Sequence, residues 1–209
     1  MNVMGSYTCD YFEVCHDPVV QPIAKEIIDC CDNKCSGSCH SLCNKALSDS
    51  GLSTTDSSQT RKKCYGLYTI YGLGPAARWM KGYYKNIEEP ASIMLTSGTW
   101  MCTGYSIVLT TLLRSVGYER DEAYSVCGGV VYTQFEPVSH AYNVVMFPGE
   151  SNYRFVDTVG NSLYISGITG ADWYAQQGGC RSEPTCDGSN DVWGHIINPP
   201  TNIIMGGSC

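Results

Sequence analysis

Three residues of this chain have the types and the order that acyl-transfer chemistry needs: Cys102, His140 and Asp157. Cys102 stands in TSGTWMCTGYSIVLTTLLRSVGY, residues 96–118, where a glycine-broken loop gives way to an apolar run with helical periodicity. Cysteine attacks as the thiolate, and a helix start favours that form because unpaired backbone N–H groups and the helix dipole stabilise negative charge. Amide chemistry also needs a base beside the sulfur and a third group that fixes the imidazole tautomer. His140 in SHAYNVVMF and Asp157 in NYRFVDTV are the candidates for those roles.

A β-hairpin must bring the last two together, and SHAYNVVMFPGESNYRFVDTV, residues 139–159, reads as one. Turn length decides which residues share a face. A two-residue turn at Pro148-Gly149 sets His140 directly opposite Asp157. A four-residue loop, Pro148 to Ser151, moves Asp157 opposite Tyr142 and leaves it diagonal to His140 on the same face. Opposite Cβ atoms lie about 5 Å apart and diagonal ones about 7 Å, so imidazole and carboxylate can meet in either case. A three-residue loop separates them onto opposite faces. Each residue also has an ordinary role open to it: cysteine in a bridge, histidine in the core of a strand, aspartate capping a turn.

The supporting elements are legible from periodicity. After Cys102, the residues Leu109, Leu112, Leu113 and Val116 recur at helical spacing and Gly117 supplies a left-handed stop, which predicts a central, largely buried helix. PVVQPIAKEIIDCC, residues 18–31, predicts a short amphipathic helix through Val20, Ile23, Ile27 and Cys31. PAARWMKGYYKN predicts another, with Ala76, Trp79, Met80, Tyr83 and Tyr84 on one face. SDSGLSTTDSSQT, residues 48–60, is polar and reads as a linker or long surface loop. Three β-rich runs come next at 122–135, 139–147 and 152–159, and residues 160–209 read as surface loops. The expected division is a Cys-rich helical arm and linker over 1–64 and a catalytic core with a C-terminal loop region over 65–209.

Composition narrows the function classes. With 209 residues and 43% apolar content the chain can bury a core without disulfides. A net charge of −7, with no basic block, argues against nucleic acid as a partner. No apolar stretch approaches the roughly 20 residues of a membrane span, and residues 1–10 lack the charged start and apolar middle of a secretory signal. Thirteen cysteines nonetheless point to oxidising surroundings, hence to a secreted or cell-surface location. Because thirteen is odd, at least one thiol stands outside intrachain bridges. Setting Cys102 aside leaves Cys9, Cys15, Cys30, Cys31, Cys35, Cys39, Cys43, Cys64, Cys127, Cys180, Cys186 and Cys209 as disulfide candidates, with connectivity open. That parity permits a thiol at Cys102 without selecting it. Cys31, Cys35, Cys39 and Cys43, with His40 beside them, could instead hold zinc or an iron-sulfur cluster. A regular every-fourth run fits no standard ligand spacing, so disulfides are favoured and neither metal nor cofactor is expected. His16, His40 and His195 read as surface or loop residues.

SGTWMCTGYSIVLTTLLRSVGY followed by HAYNVVMF and YRFVDT resembles the core of the transglutaminase-like superfamily of cysteine enzymes. That family has a small-residue loop, a Cys at the start of a helix ending in a Leu-Leu-Arg-x-x-Gly type sequence, then His and Asp on neighbouring strands. The likeness spans residues 91–160, and DPVVQPIAKEII and AARWMKGYYKN resemble the helices that commonly precede this core. The resemblance implies that Cys102 is the nucleophile, His140 the general base and acid, and Asp157 the residue that orients it. It also implies an α+β, papain-like fold with the Cys102 helix packed on an antiparallel sheet. The chain departs from the pattern in two places. Tyr142 stands where many members have Trp, and the usual Gly-x-Cys is absent, since Gly98 precedes Cys102 by four residues. Oxyanion donors would then be the backbone N–H of Cys102 with a side chain such as Trp100 or Tyr105, although Trp100 equally suits packing on the sheet.

The expected function is a cysteine-dependent hydrolase of amide or isopeptide bonds, working through a thioester on a protein or cell-wall peptide; the resemblance implies such thiol proteases. Transamidation of glutamine side chains shares every step to the thioester. A third reading is a non-catalytic, disulfide-rich surface or adhesion module.

Overall fold

The computed structural model describes residues 17–32, 41–74, 78–79, 91–97, 102–119, 122–132, 137–158 and 164–165, with backbone alone at 97, 103, 124–132, 137–141, 155 and 164. Among these residues, α1 (Val20–Cys31), α2 (Ser41–Ser50), α3 (Ser58–Leu73), α4 (Ala91–Ser97) and α5 (Cys102–Ser115) precede a sheet of β1 (Ala123–Tyr132), β2 (Pro137–Val145), β3 (Arg154–Asp157) and β4 (Tyr164–Ile165). The strands lie in the order β1-β2-β3-β4, every pair antiparallel. Helices first and an antiparallel sheet after make the α+β arrangement that the sequence predicts. β4 falls in the stretch expected to be loop.

α1 forms where its apolar spacing predicts, burying Val20, Ala24, Ile27, Cys30 and Cys31. The polar stretch 48–60 is not a long loop. α2 runs through Ser50, Gly51 turns the chain at φ 79°, and Ser57 caps α3 by accepting the Thr60 N–H at 3.1 Å. Serine, threonine and aspartate favour helix ends as much as loops, because their short side chains satisfy the orphan N–H groups there. α3 lacks a clear apolar stripe for a related reason. It is buried continuously from Gly66 to Leu73 and so needs no polar face over that length.

Three tyrosines of α3 at three-residue intervals donate to carboxylates of the arm: Tyr65 to Asp32 at 2.7 Å, Tyr68 to Glu26 at 2.8 Å and Tyr71 to Asp49 at 2.7 Å. Two disulfides, Cys30–Cys43 and Cys31–Cys64, tie α1 to α2 and to α3. Two members of the every-fourth cysteine run, Cys31 and Cys43, are thereby bridged rather than ligating. Among the described residues no group of three His, Cys, Asp or Glu could hold a metal ion. The sulfurs of Cys9, Cys15, Cys35, Cys39, Cys127, Cys180, Cys186 and Cys209 lie outside the described atoms. The boundary expected at residue 64 falls inside α3, and one hydrophobic cluster joins Val20, Ile27 and Leu67 to Leu109, Val145 and Ile165.

α5 is the central helix, buried from Gly104 to Leu113. It ends as expected at Gly117, with φ 97°. Tyr118 N–H reaches Leu113 O at 3.0 Å and Gly117 N–H reaches Arg114 O at 3.1 Å, the paired bonds of a Schellman motif. Arg114 donates to Ala123 O through Nε and Nη2 at 3.1 and 2.8 Å, fastening the end of α5 to the start of β1. Of the helix expected over 75–86, Arg78 and Trp79 form a turn and the remainder lies outside the described residues.

Candidate functional site

Cys102 is the first residue of α5, half-buried and outside any disulfide. Its N–H is among those with no acceptor inside the helix, and the first turn carries no acidic side chain to oppose a thiolate.

One turn further on, α5 is bonded to β2. Ser106 Oγ donates to Tyr142 O at 3.0 Å. Asn143 Nδ2 donates to Ser106 O at 2.9 Å and to Thr110 Oγ1 at 2.8 Å, while Thr110 Oγ1 donates to Ser106 O at 3.0 Å. All three side chains are buried, Asn143 with 2% exposure. Moving along α5, Ser106 meets Tyr142, Thr110 meets Asn143, and Arg114 meets Ala123, the β1 residue paired with Val145. Helix and strand therefore run in the same direction.

The hairpin register is set by Asn143 opposite Val156, Val144 opposite Phe155 and Val145 opposite Arg154. One pair further, Asp157 stands across from Tyr142, which is the arrangement of the four-residue-loop alternative. Asp157 also pairs with Tyr164 of β4. Its side chain is buried, with 2% exposure. Burial first, and the Asp157 charge second, push the Tyr142 phenol well above its usual pKa, so it keeps its proton.

Strand alternation adds a feature that the pattern did not foretell. Asn143 reaches α5, whereas Tyr142, Val144 and Asp157 have the other parity and are also buried, so β2 is covered on both faces. His140 has the parity of Tyr142. Between these two, the register with β1 shifts, with one extra β1 residue between Val126 and Gly129 opposite Ala141. A bulge of this kind increases twist and re-aims the side chains beyond it.

Of the proposed oxyanion donors, Tyr105 is buried within the hydrophobic cluster and Trp100 lies outside the described residues. Ser106, Thr110 and Asn143 were not anticipated as part of the site. Their signal was available: two hydroxyl residues four apart inside an apolar helix, and an asparagine in an apolar strand, call for partners. A cavity of about 620 Å³ opens between Pro18, Pro22, Lys25 and Ile28 of the α1 region and Ser115 at the end of α5. Thirteen helical residues, about 20 Å of rise, separate Ser115 from Cys102, so the cavity is apart from this site.

No protein-family model matches the chain. No curated protein matches it. Among solved structures, Legionella pneumophila LapG is similar over 57% of this chain and 76% of its own, with 11% identity and a TM-score of 0.32. Its EGTA-treated form is similar over 58% of this chain and 74% of its own, at 12% identity and a TM-score of 0.30. Its calcium-bound form is similar over 58% and 76%, at 11% identity and a TM-score of 0.32. A likeness at this level leaves fold and activity to be argued from the residues themselves.

Proposed function

We propose that the chain is a cysteine-dependent amide or isopeptide hydrolase with a papain-like core, Cys102 as nucleophile, His140 as general base and acid, and Asp157 as the residue that orients the imidazole. The carrying observation is the matched step of α5 and β2. Four helical residues back from Ser106 to Cys102 rise about 6 Å, and two strand residues back from Tyr142 to His140 span about 6.7 Å, in the same direction. Counted this way, Cys102 and His140 fall at one level. By alternation His140 shares the face of Tyr142, opposite the Asn143 face that meets α5. The pairing therefore requires the bulge beside Ala141 to turn the imidazole toward Cys102, with Asp157 one pair away across from Tyr142. The helix-start position of the thiol and the burial of the carboxylate support the same reading.

In this mechanism the thiolate attacks the carbonyl carbon and the C–N bond breaks as His140 protonates the departing amine. The thioester on Cys102 is then opened by water, whose proton passes to His140, and the thiol returns. An amine in place of water gives transamidation by the same steps. Incubation with amide and isopeptide peptides, with and without a primary amine, is expected to show acyl addition to Cys102 by intact mass. Cys102→Ala should abolish it, and Asp157→Asn should lower kcat by about 10⁴ through the wrong tautomer. Full activity in Cys102→Ala sinks the assignment. Amine incorporated into the product makes the enzyme a transamidase, and a fully bridged Cys102 in the oxidised protein favours the non-catalytic module.

A further inference from the structure

We propose that Asn143 is a positioning residue whose buried carboxamide sets the height of Cys102 against His140; this rests on the thiol–imidazole pairing above and assigns what holds it. The apolar side chains of α5, such as Ile107, Val108 and Leu109, pack without direction, and such contacts tolerate small slides along the helix axis. Hydrogen bonds do not, because they weaken steeply once distance and angle leave a narrow range. The Asn143 amide has two N–H groups, and its two bonds reach Ser106 O and Thr110 Oγ1, one turn apart on α5. Ser106 Oγ answers with a bond to Tyr142 O, the carbonyl just before Asn143. The result is a directional lock between one turn of α5 and one residue pair of β2. It stands four residues from Cys102 along the helix and three from His140 along the strand. Every side chain in it is buried, so water does not substitute for a partner that is removed.

A merely structural network would affect melting and leave the thiol's acidity alone. The readout is therefore the pH dependence of Cys102 alkylation by iodoacetamide, followed at the Cys102 peptide by mass spectrometry. It is measured on the full chain for wild type, His140→Ala, Asn143→Ala and the double variant Ser106→Ala with Thr110→Val. The wild-type rate is expected to persist below the range of an ordinary thiol, and His140→Ala to lose that reactivity. Asn143→Ala should move the profile toward that of His140→Ala, with about tenfold less thiolate at low pH for each unit the thiol pKa rises. The double variant should move it the same way. If Asn143→Ala does not fold, the double variant, which removes little bulk, carries the test. A folded, cooperatively melting variant with the wild-type profile overturns the inference while His140→Ala still supports the triad. If His140→Ala itself leaves the profile unchanged, the triad reading and this inference fall together.

Discussion

Gly66 shows how little space the centre of the molecule leaves for a single residue. A Cβ added there would stand 2.2 Å from Tyr118 Oη and 2.8 Å from its Cζ. Tyr118 is buried and donates to Lys62 O at 3.1 Å, so the ring cannot withdraw without losing that bond. Gly66→Ala is expected to destabilise by about 2 kcal/mol through overpacking, read as a lower denaturant midpoint with an unchanged slope. Gly117 carries a different constraint, since its φ of 97° strains any other residue while nothing fills the space beside it. Gly117→Ala should therefore cost about 1 kcal/mol and no repacking, measured the same way. A larger loss at Gly117 than at Gly66 would contradict this account of the two.

Among the elements, the two bridges from the adjacent Cys30 and Cys31 organise the arm. Cys31–Cys64 closes a sequence separation of 33 residues and Cys30–Cys43 one of 13. Loop-closure entropy gives about 4 kcal/mol for the longer and about 3 kcal/mol for the shorter in the chain-entropy model. Replacing Cys31 and Cys64 together by Ala is expected to lower the unfolding free energy at least as much as replacing Cys30 and Cys43, as chemical denaturation would show. Because α3 packs against α5 as well as α1, the loss should propagate to the helix that carries Cys102. Amide exchange along α5 should then rise in the Cys31/Cys64 variant.

For the whole molecule, the joints between the arm, α3 and the hairpin are ionic and phenolic as well as apolar. Burial alone would raise the Glu26 pKa, but hydrogen bonds from Arg78 and Tyr68 outweigh it and hold the carboxyl below the usual 4.5. Glu150 is held down likewise by Arg154 and Lys63, and Asp49 is held below 3.8 by Lys45 and Tyr71. A carboxyl depressed in the folded state stabilises it above the unfolded pKa, and that contribution is lost as pH falls through the folded value. Stability should therefore decline from about pH 4.5 downward, with Glu26→Gln and Glu150→Gln each flattening the fall in melting temperature. On the alkaline side, burial and the bond to Asp32 push the Tyr65 phenol up to about 12. Its contribution is present below pH 10 and is lost as pH rises toward 12, an effect that Tyr65→Phe should remove.

Periodicity and turn chemistry by themselves determined α1, α5 with its glycine stop, and three of the strands, because these depend on local spacing of apolar residues and on backbone conformation. Residue order also marked Cys102, His140 and Asp157 as one candidate set and narrowed the hairpin to two productive registers. Only the tertiary structure chose between those registers, since sequence shows that a hairpin turns but not how many residues the turn spends unpaired. It likewise revealed α3, whose continuous burial erases the stripe that would announce it, and the partners of Cys30 and Cys31, which depend on the approach of three helices. The lock of Asn143 on Ser106 and Thr110 belongs to the same class, because a buried polar side chain declares that it needs a partner, and packing alone decides which one it meets.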